Sequence, residues 1–143
     1  MEGGCACGTV RYRLASTPYD AGWCHCRICQ LNSGAPAMAF ATVPRGDFLF
    51  TRNGKLVKSF ASSPFGQRMF CGECGTPLGV TVDHQPDTID FSIATLDNPD
   101  AVPPGFHIFY ASKVVWFDPG DDLPRHARFR PDTVGPEGAE PPA

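Results

Sequence analysis

Seven cysteines fall into three groups with none left over: Cys5-x-Cys7, Cys24-x-Cys26-x-x-Cys29 and Cys71-x-x-Cys74. Each spacing lets two or three thiolates on a tight turn reach one ion without closing a long loop. An odd count would leave a thiol unpaired in a secreted disulfide framework, whereas clustered cysteines in a reducing compartment bind metal. A structural zinc takes four protein ligands, and a catalytic zinc takes three and keeps a position for water or substrate. Seven divides as four plus three.

The split that spacing favours joins Cys5 and Cys7 to the distant pair Cys71 and Cys74, a closed site that holds the fold together. Cys71-Gly72-Glu73-Cys74-Gly75 reads as a zinc knuckle, its glycines expected at positive φ so that backbone N–H groups aim at the thiolates. Cys24, Cys26 and Cys29 then hold a second ion from one six-residue segment. An open zinc with three thiolates is a soft Lewis acid suited to binding another sulfur and keeping it as a thiolate. The alternative is a closed Cys3His site, with His25, His84 or His107 as the fourth ligand. His25 is the weakest of these, because in an extended Cys-His-Cys it points away from its neighbours' face.

These cysteines need rigid elements to position them, and the pattern between them is β. Val10, Tyr12 and Leu14 alternate with Thr9, Arg11 and Arg13, and Ile89, Phe91 and Ile93 alternate with Asp90 and Ser92, as half-buried strands do. Further strands are expected over Ala37 to Val43, Phe48 to Thr51, Leu56 to Phe60, Gln67 to Cys71, Leu78 to Val82 and Phe106 to Tyr110. Fifteen glycines and fifteen prolines leave room for one short helical turn, Arg27 to Asn32. The fold class is mainly β, built of small antiparallel sheets held by zinc.

The chain of 143 residues is the size of one domain, able to bury roughly two thirds of its unfolded surface. The expected domain covers 1–130. Four prolines and two glycines over 131–143, with almost nothing large and apolar, predict a disordered tail. A net charge of −3 argues against nucleic acid or an anionic membrane as partner. Arg125, His126, Arg128 and Arg130 form a local basic cluster, read as a solvated face. No apolar run approaches the roughly 18 residues that span a bilayer, and Met1-Glu2-Gly3-Gly4 lacks the basic and apolar regions of a signal peptide. The expectation is a soluble, cytoplasmic protein.

Gly4-Cys5-Ala6-Cys7-Gly8, Cys24-His25-Cys26-Arg27-Ile28-Cys29-Gln30 and Phe70-Cys71-Gly72-Glu73-Cys74-Gly75-Thr76-Pro77-Leu78 together resemble the glutathione-dependent formaldehyde-activating enzyme family, which includes a centromere protein V branch. His107-Ile108-Phe109-Tyr110-Ala111-Ser112-Lys113, with Trp116 and Leu123-Pro124, resembles the family's closing motif. The resemblance runs from residue 3 to about 126. It implies an Mss4-like β-tent and two Zn²⁺ ions per chain, a structural one on Cys5, Cys7, Cys71 and Cys74 and a catalytic one on Cys24, Cys26 and Cys29. It also implies carbon-sulfur lyase chemistry of the S-(hydroxymethyl)glutathione synthase type, in which a glutathione-like thiol adds to a formaldehyde-like aldehyde.

A peptide thiol carries carboxylates, for which Arg27, Arg68 and Lys113 are candidate clamps. Trp23, Phe40, Phe70 and Trp116 are candidates for an apolar wall beside the metal, Trp23 foremost because it abuts Cys24; core packing is the competing reading for the rest. No general acid or base stands out. Two other classes remain open: a non-catalytic two-zinc protein-binding module, its second site closed by histidine, and a redox or metal-buffering thiol protein. The oligomeric state is not encoded in any motif.

Overall fold

A computed structural model describes residues 1–131 of the chain. The expected tail therefore lies, apart from Pro131, outside the described residues. Ten strands run in the order β1 (Glu2–Gly4), β2 (Arg11–Leu14), β3 (Tyr19–Cys24), β4 (Met38–Pro44), β5 (Phe48–Arg52), β6 (Val57–Ser63), β7 (Gly66–Cys71), β8 (Pro77–Val82), β9 (Thr88–Ser92) and β10 (His107–Ile108). One helix, α1 (Arg27–Ser33), sits between β3 and β4. No helix among the described residues is long and apolar enough to cross a membrane.

Three strands form a small sheet in the order β1-β2-β5, and seven form a larger one in the order β10-β3-β4-β9-β8-β7-β6. All pairings are antiparallel except β10 with β3, which is parallel. The mainly β class of small antiparallel sheets is observed, with one parallel pairing at that edge. Alternation explains the layering. Val10, just before β2, and Tyr12 and Leu14 on β2 turn inward and meet Ala41, Val43, Ile89 and Phe91 from the large sheet, all buried. Tyr12 stacks on Phe48 at 4.4 Å between ring centroids. One face of the seven-stranded sheet is thus sealed by the small sheet, and its opposite face is left to build the site.

Two strands escaped the alternation. β1 is Glu-Gly-Gly, with no side chains to signal a strand, and its Gly3 lies where a Cβ would come 2.4 Å from the Tyr12 hydroxyl. β3 carries Asp20 at φ 50 and a register shift between Tyr19 and Gly22, which breaks the period of two. The strand expected over Phe106 to Tyr110 shortens to two residues because Phe109 adopts φ 52 and turns the chain into a 3-10 turn over Tyr110–Ser112. Beyond that turn the chain returns alongside β10, with the His107 N–H donating to Pro124 O at 2.8 Å and the Phe109 N–H to Arg128 O at 3.0 Å.

Candidate metal centre and cavity

All seven cysteines are free thiols, gathered in two groups. Within each group the sulfurs lie within 4.8 Å of one another, and the groups are Cys5, Cys7, Cys71 and Cys74, and Cys24, Cys26 and Cys29. In the first, Cys5 and Cys7 sulfurs are 3.5 Å apart and Cys7 and Cys71 sulfurs 4.0 Å. Tetrahedral zinc–thiolate geometry, with bonds of about 2.3 Å, asks for sulfurs about 3.8 Å apart, so the donors already stand at the spacing a metal ion requires.

Local backbone geometry supplies these positions. Gly8 and Gly75 take φ 75 and 80, and their N–H groups donate to Cys5 O at 3.0 Å and Cys71 O at 2.8 Å, closing the two turns. Backbone N–H groups reach the thiols, from Val10 to Cys5 Sγ at 3.2 Å and from Glu73 to Cys71 Sγ at 3.4 Å. Gly72 departs from expectation: its φ is not positive. It is required for space, since a Cβ there would meet Leu56 O at 2.4 Å.

The second group is built at the junction of β3 and α1. Cys24 ends β3, Cys26 caps α1 by accepting the Cys29 N–H at 3.4 Å, and Cys29 follows one turn later. All three are buried. Hydrogen bonds from Cys24 and Cys29 carry the Cys26 thiol down to about 3, while donation to Cys26 and then to Cys29, with burial, carries Cys24 well above its ordinary value. Three sulfurs at this distance cannot all ionise without a cation among them, and such a donor set is able to hold a soft metal ion.

Neither His25 nor His107 joins the group. Facing away from the cysteines, His25 has its Nε2 2.8 Å from His107 Nδ1, and His107 Nε2 lies 3.0 Å from the Asp121 carboxylate. Both rings are buried. His84 lines the same cavity as the trio without entering the sulfur cluster. Among the described residues, then, no histidine closes the three-cysteine group.

Cys24, Cys26 and Cys29 open onto a cavity of about 190 Å³ on the face of the large sheet away from the core. Phe40, Val80, Phe106, Ile108, Phe109 and Phe129 supply apolar wall, and Thr42, Arg68 and Asp90 supply the polar groups. Arg68 is buried, and its Nη2 donates to Cys29 Sγ at 3.3 Å while Nε donates to Ser62 Oγ at 3.3 Å. A guanidinium fixed on this sulfur would offset part of the negative charge the cluster carries once its thiols ionise.

The structure places the other candidate contacts away from this cavity. Arg27 does not line the cavity; it bonds Gln30 Oε1 at 3.3 Å on the surface of α1. Lys113 is spent on the carbonyls of Val114 and Phe117 and packs over the Tyr110 ring at 5.6 Å. Trp23 alternates with Cys24 along β3 and so faces the other way, stacked on His107 at 6.5 Å. Phe70 packs on Phe60, and Trp116 is 73% exposed, neither wall nor core. From the basic cluster, Arg125 pairs with Asp121 at 3.2 Å and Arg130 with Asp20 at 3.1 Å, so these charges are built into the fold. Asp90 and Thr42 were not singled out in the sequence; a polar residue between Ile89 and Phe91 signals only the second face of a strand, which here is a cavity wall.

Fold and site together define a mainly β protein with two cysteine centres able to bind metal ions, one of them beside a cavity. The family model for the glutathione-dependent formaldehyde-activating enzyme matches residues 1–112, and the chain belongs to that family. It is 28% identical over 126 residues to a Halomonas elongata protein named "Putative glutathione-dependent formaldehyde-activating enzyme", a match covering 82% of this chain and 80% of the relative. It is 32% identical over 77 residues to an uncharacterized lyase of Schizosaccharomyces pombe, covering 54% of each. A crystal structure of a Rhodobacter sphaeroides protein shares the fold, with a TM-score of 0.60 at 20% identity over 87% of this chain and 99% of that one.

Proposed function

We propose that the chain is a zinc-dependent enzyme of the carbon-sulfur lyase type, joining or cleaving a glutathione-like thiol and a small formaldehyde-like aldehyde at Cys24, Cys26 and Cys29. The observation that carries this reading is the opening of three clustered thiols onto a cavity, with Arg68 donating to one of them. Cys5, Cys7, Cys71 and Cys74 would hold a structural zinc and Cys24, Cys26 and Cys29 a second one. A zinc ion with three thiolate ligands supplies a Lewis-acidic position that favours the thiolate form of a bound thiol.

The chain's own residues do the rest. Arg68 balances the charge of Cys29 and sets how much negative charge the cavity tolerates. The apolar wall of Phe40, Ile108 and Phe109 excludes water and holds two small reactants together, which replaces an encounter in solution with a bound pair. Seven free thiols suit a reducing compartment, and we read the protein as cytoplasmic. The relatives' printed names, one an enzyme of this reaction and one a lyase, support the same class.

Zinc-loaded protein mixed with glutathione and ¹³C-formaldehyde gives the test. Exchange between free and adduct carbons, followed by NMR, is expected to accelerate with enzyme concentration. Unchanged exchange rates would remove the thiol–aldehyde activity.

A further inference from the structure

Four residues stand in one row across the large sheet. Arg68 on β7 pairs with Val80 on β8, Val80 with Asp90 on β9, and Asp90 with Thr42 on β4. All four line the cavity. The row therefore carries a cation near one end and a carboxyl near the other, on the same face, and the two are treated differently by the fold.

Arg68 is engaged: its Nη2 donates to Cys29 Sγ and its Nε to Ser62 Oγ. Asp90 is not. Its Oδ1 accepts from Thr42 Oγ1 at 2.6 Å, and among the described residues it forms no ion pair. Asp20, the nearby acid, already has Arg130 at 3.1 Å. Burial holds the Asp90 carboxyl above the ordinary carboxylate range despite the Thr42 hydrogen bond, with Asp20 pushing the same way and Arg68 opposing. A carboxylate shielded from water is stable when paired, and half-buried Asp90 faces the cavity with no cation in hydrogen-bond contact among the described residues.

We infer that Asp90 is the receptor for a positively charged group, an ammonium, on the thiol substrate, and that it selects peptide thiols with a free amine. The inference rests on the proposed thiol chemistry at the cysteine trio and adds the residue that chooses among thiols.

Spacing narrows the class further. Cys24 pairs with Met38 and Asp90 with Thr42, four residues further along the same strand, which is about 13 Å at roughly 3.3 Å per residue. Cys24 and Asp90 also flank β4 on opposite sides, adding roughly 10 Å across the sheet at about 4.8 Å per strand. Side chains close part of that gap. A two-carbon aminothiol cannot bridge the remainder, whereas a γ-glutamyl peptide carries its ammonium eight bonds from sulfur, roughly 10 Å when extended. The occupant is thus a thiol with a distal ammonium, sulfur toward the cysteines and amine toward Asp90.

Calorimetric titration of the zinc-loaded full chain tests this with glutathione and with glutaryl-cysteinylglycine, which has hydrogen in place of the ammonium and is otherwise the same molecule. Wild type is expected to bind glutathione at least about tenfold more tightly, as a charge-assisted hydrogen bond in a buried site implies. In Asp90→Asn, which keeps the side-chain shape, the two affinities are expected to converge within about twofold. Equal affinities in wild type, or a preference that survives Asp90→Asn, would overturn the assignment. The wild-type ratio stands even if the Asn variant does not fold, and Asp90→Glu, which keeps the charge, is then expected to retain part of the preference. If both thiols bind wild type equally, the thiol site stands and the role of Asp90 falls; if neither binds, the thiol reading falls and Asp90 with it.

Discussion

His25 Nε2 lies 2.8 Å from His107 Nδ1 across 82 residues of chain, and His107 passes the contact on to Asp121. The network assigns the tautomers: His107 gives its Nε2–H to the Asp121 carboxylate, so its Nδ1 accepts from His25. Burial holds the His25 imidazole down at about 4, so the ring is neutral at pH 7. Because His25 sits between Cys24 and Cys26, this chain of contacts fixes the face on which both cysteines point. Gln30 completes the clamp, its Nε2 donating to His25 O at 2.8 Å and Ser112 O at 3.1 Å.

His107→Ala is accordingly expected to destabilise the zinc-loaded protein by about 3 kcal/mol, the sum of a buried His25 donor left unpaired and the cavity behind it. Urea unfolding of both proteins at pH 7 measures it. Asp121→Asn, at an exposed carboxylate, is expected to change stability far less than His107→Ala. Equal stability of His107→Ala and wild type would show that the histidine pair bears no load.

The two histidines also mark what sequence could and could not reveal. Chelate spacing is local, so the partition of seven cysteines into four and three was legible without coordinates, as was the inward row of Val10, Tyr12 and Leu14. A pair of rings 82 residues apart leaves no local trace, and both histidines stood among the candidate fourth ligands, His25 as the weakest. Arg68 was one of three plausible clamps; only the pairing of β7 with β8 and the path of its side chain bring it to Cys29. Asp90 read as the polar half of an alternating strand, because the pattern reports that a face is polar and not whether it meets solvent or a cavity.

Arg68→Met is expected to lower the rate of glutathione–formaldehyde exchange roughly tenfold to a hundredfold, by removing a charge-assisted donor from a thiolate in a buried site. Arg68→Lys keeps the charge but loses the fork that reaches Cys29 and Ser62 together, and an intermediate loss is expected. NMR exchange spectroscopy at fixed zinc content reads both. A wild-type rate in Arg68→Met would place the guanidinium outside the chemistry.

The two cysteine groups should fail differently when broken. Cys5, Cys7, Cys71 and Cys74 tie the N-terminal turn to the β7–β8 hairpin, so Cys71→Ser is expected to release one metal equivalent and lower stability by several kcal/mol. Cys26→Ser is expected to release the other equivalent and abolish exchange with a much smaller loss of stability, since β3 and α1 remain pinned by the histidine and Gln30 contacts. Elemental analysis of metal content beside thermal unfolding of each variant distinguishes the two. Comparable melting temperatures for the two variants would contradict the division into structural and reactive centres.

Alkaline pH probes the opposite face of the large sheet. Tyr12 is fully buried in the core between the sheets, burial pushes its phenol up to about 12, and its hydroxyl lies 2.7 Å from Thr95 Oγ1. Thr95 spends its own hydrogen on Ser92 O, so Tyr12 is the donor and loses that bond on ionising. The unfolded chain releases the phenolic proton near pH 10, and the folded chain keeps it to about 12. Between those values the folded state binds more protons, so stability is whole below pH 10 and falls as pH rises toward 12, by roughly 3 kcal/mol across that window. Tyr12→Phe is expected to flatten this part of the pH profile while giving up about 1 kcal/mol at neutral pH for the lost hydrogen bond. Denaturant midpoints from pH 9 to 12, with phenolate absorbance followed in parallel, measure both effects, and an identical slope in Tyr12→Phe would assign the alkaline transition to another group.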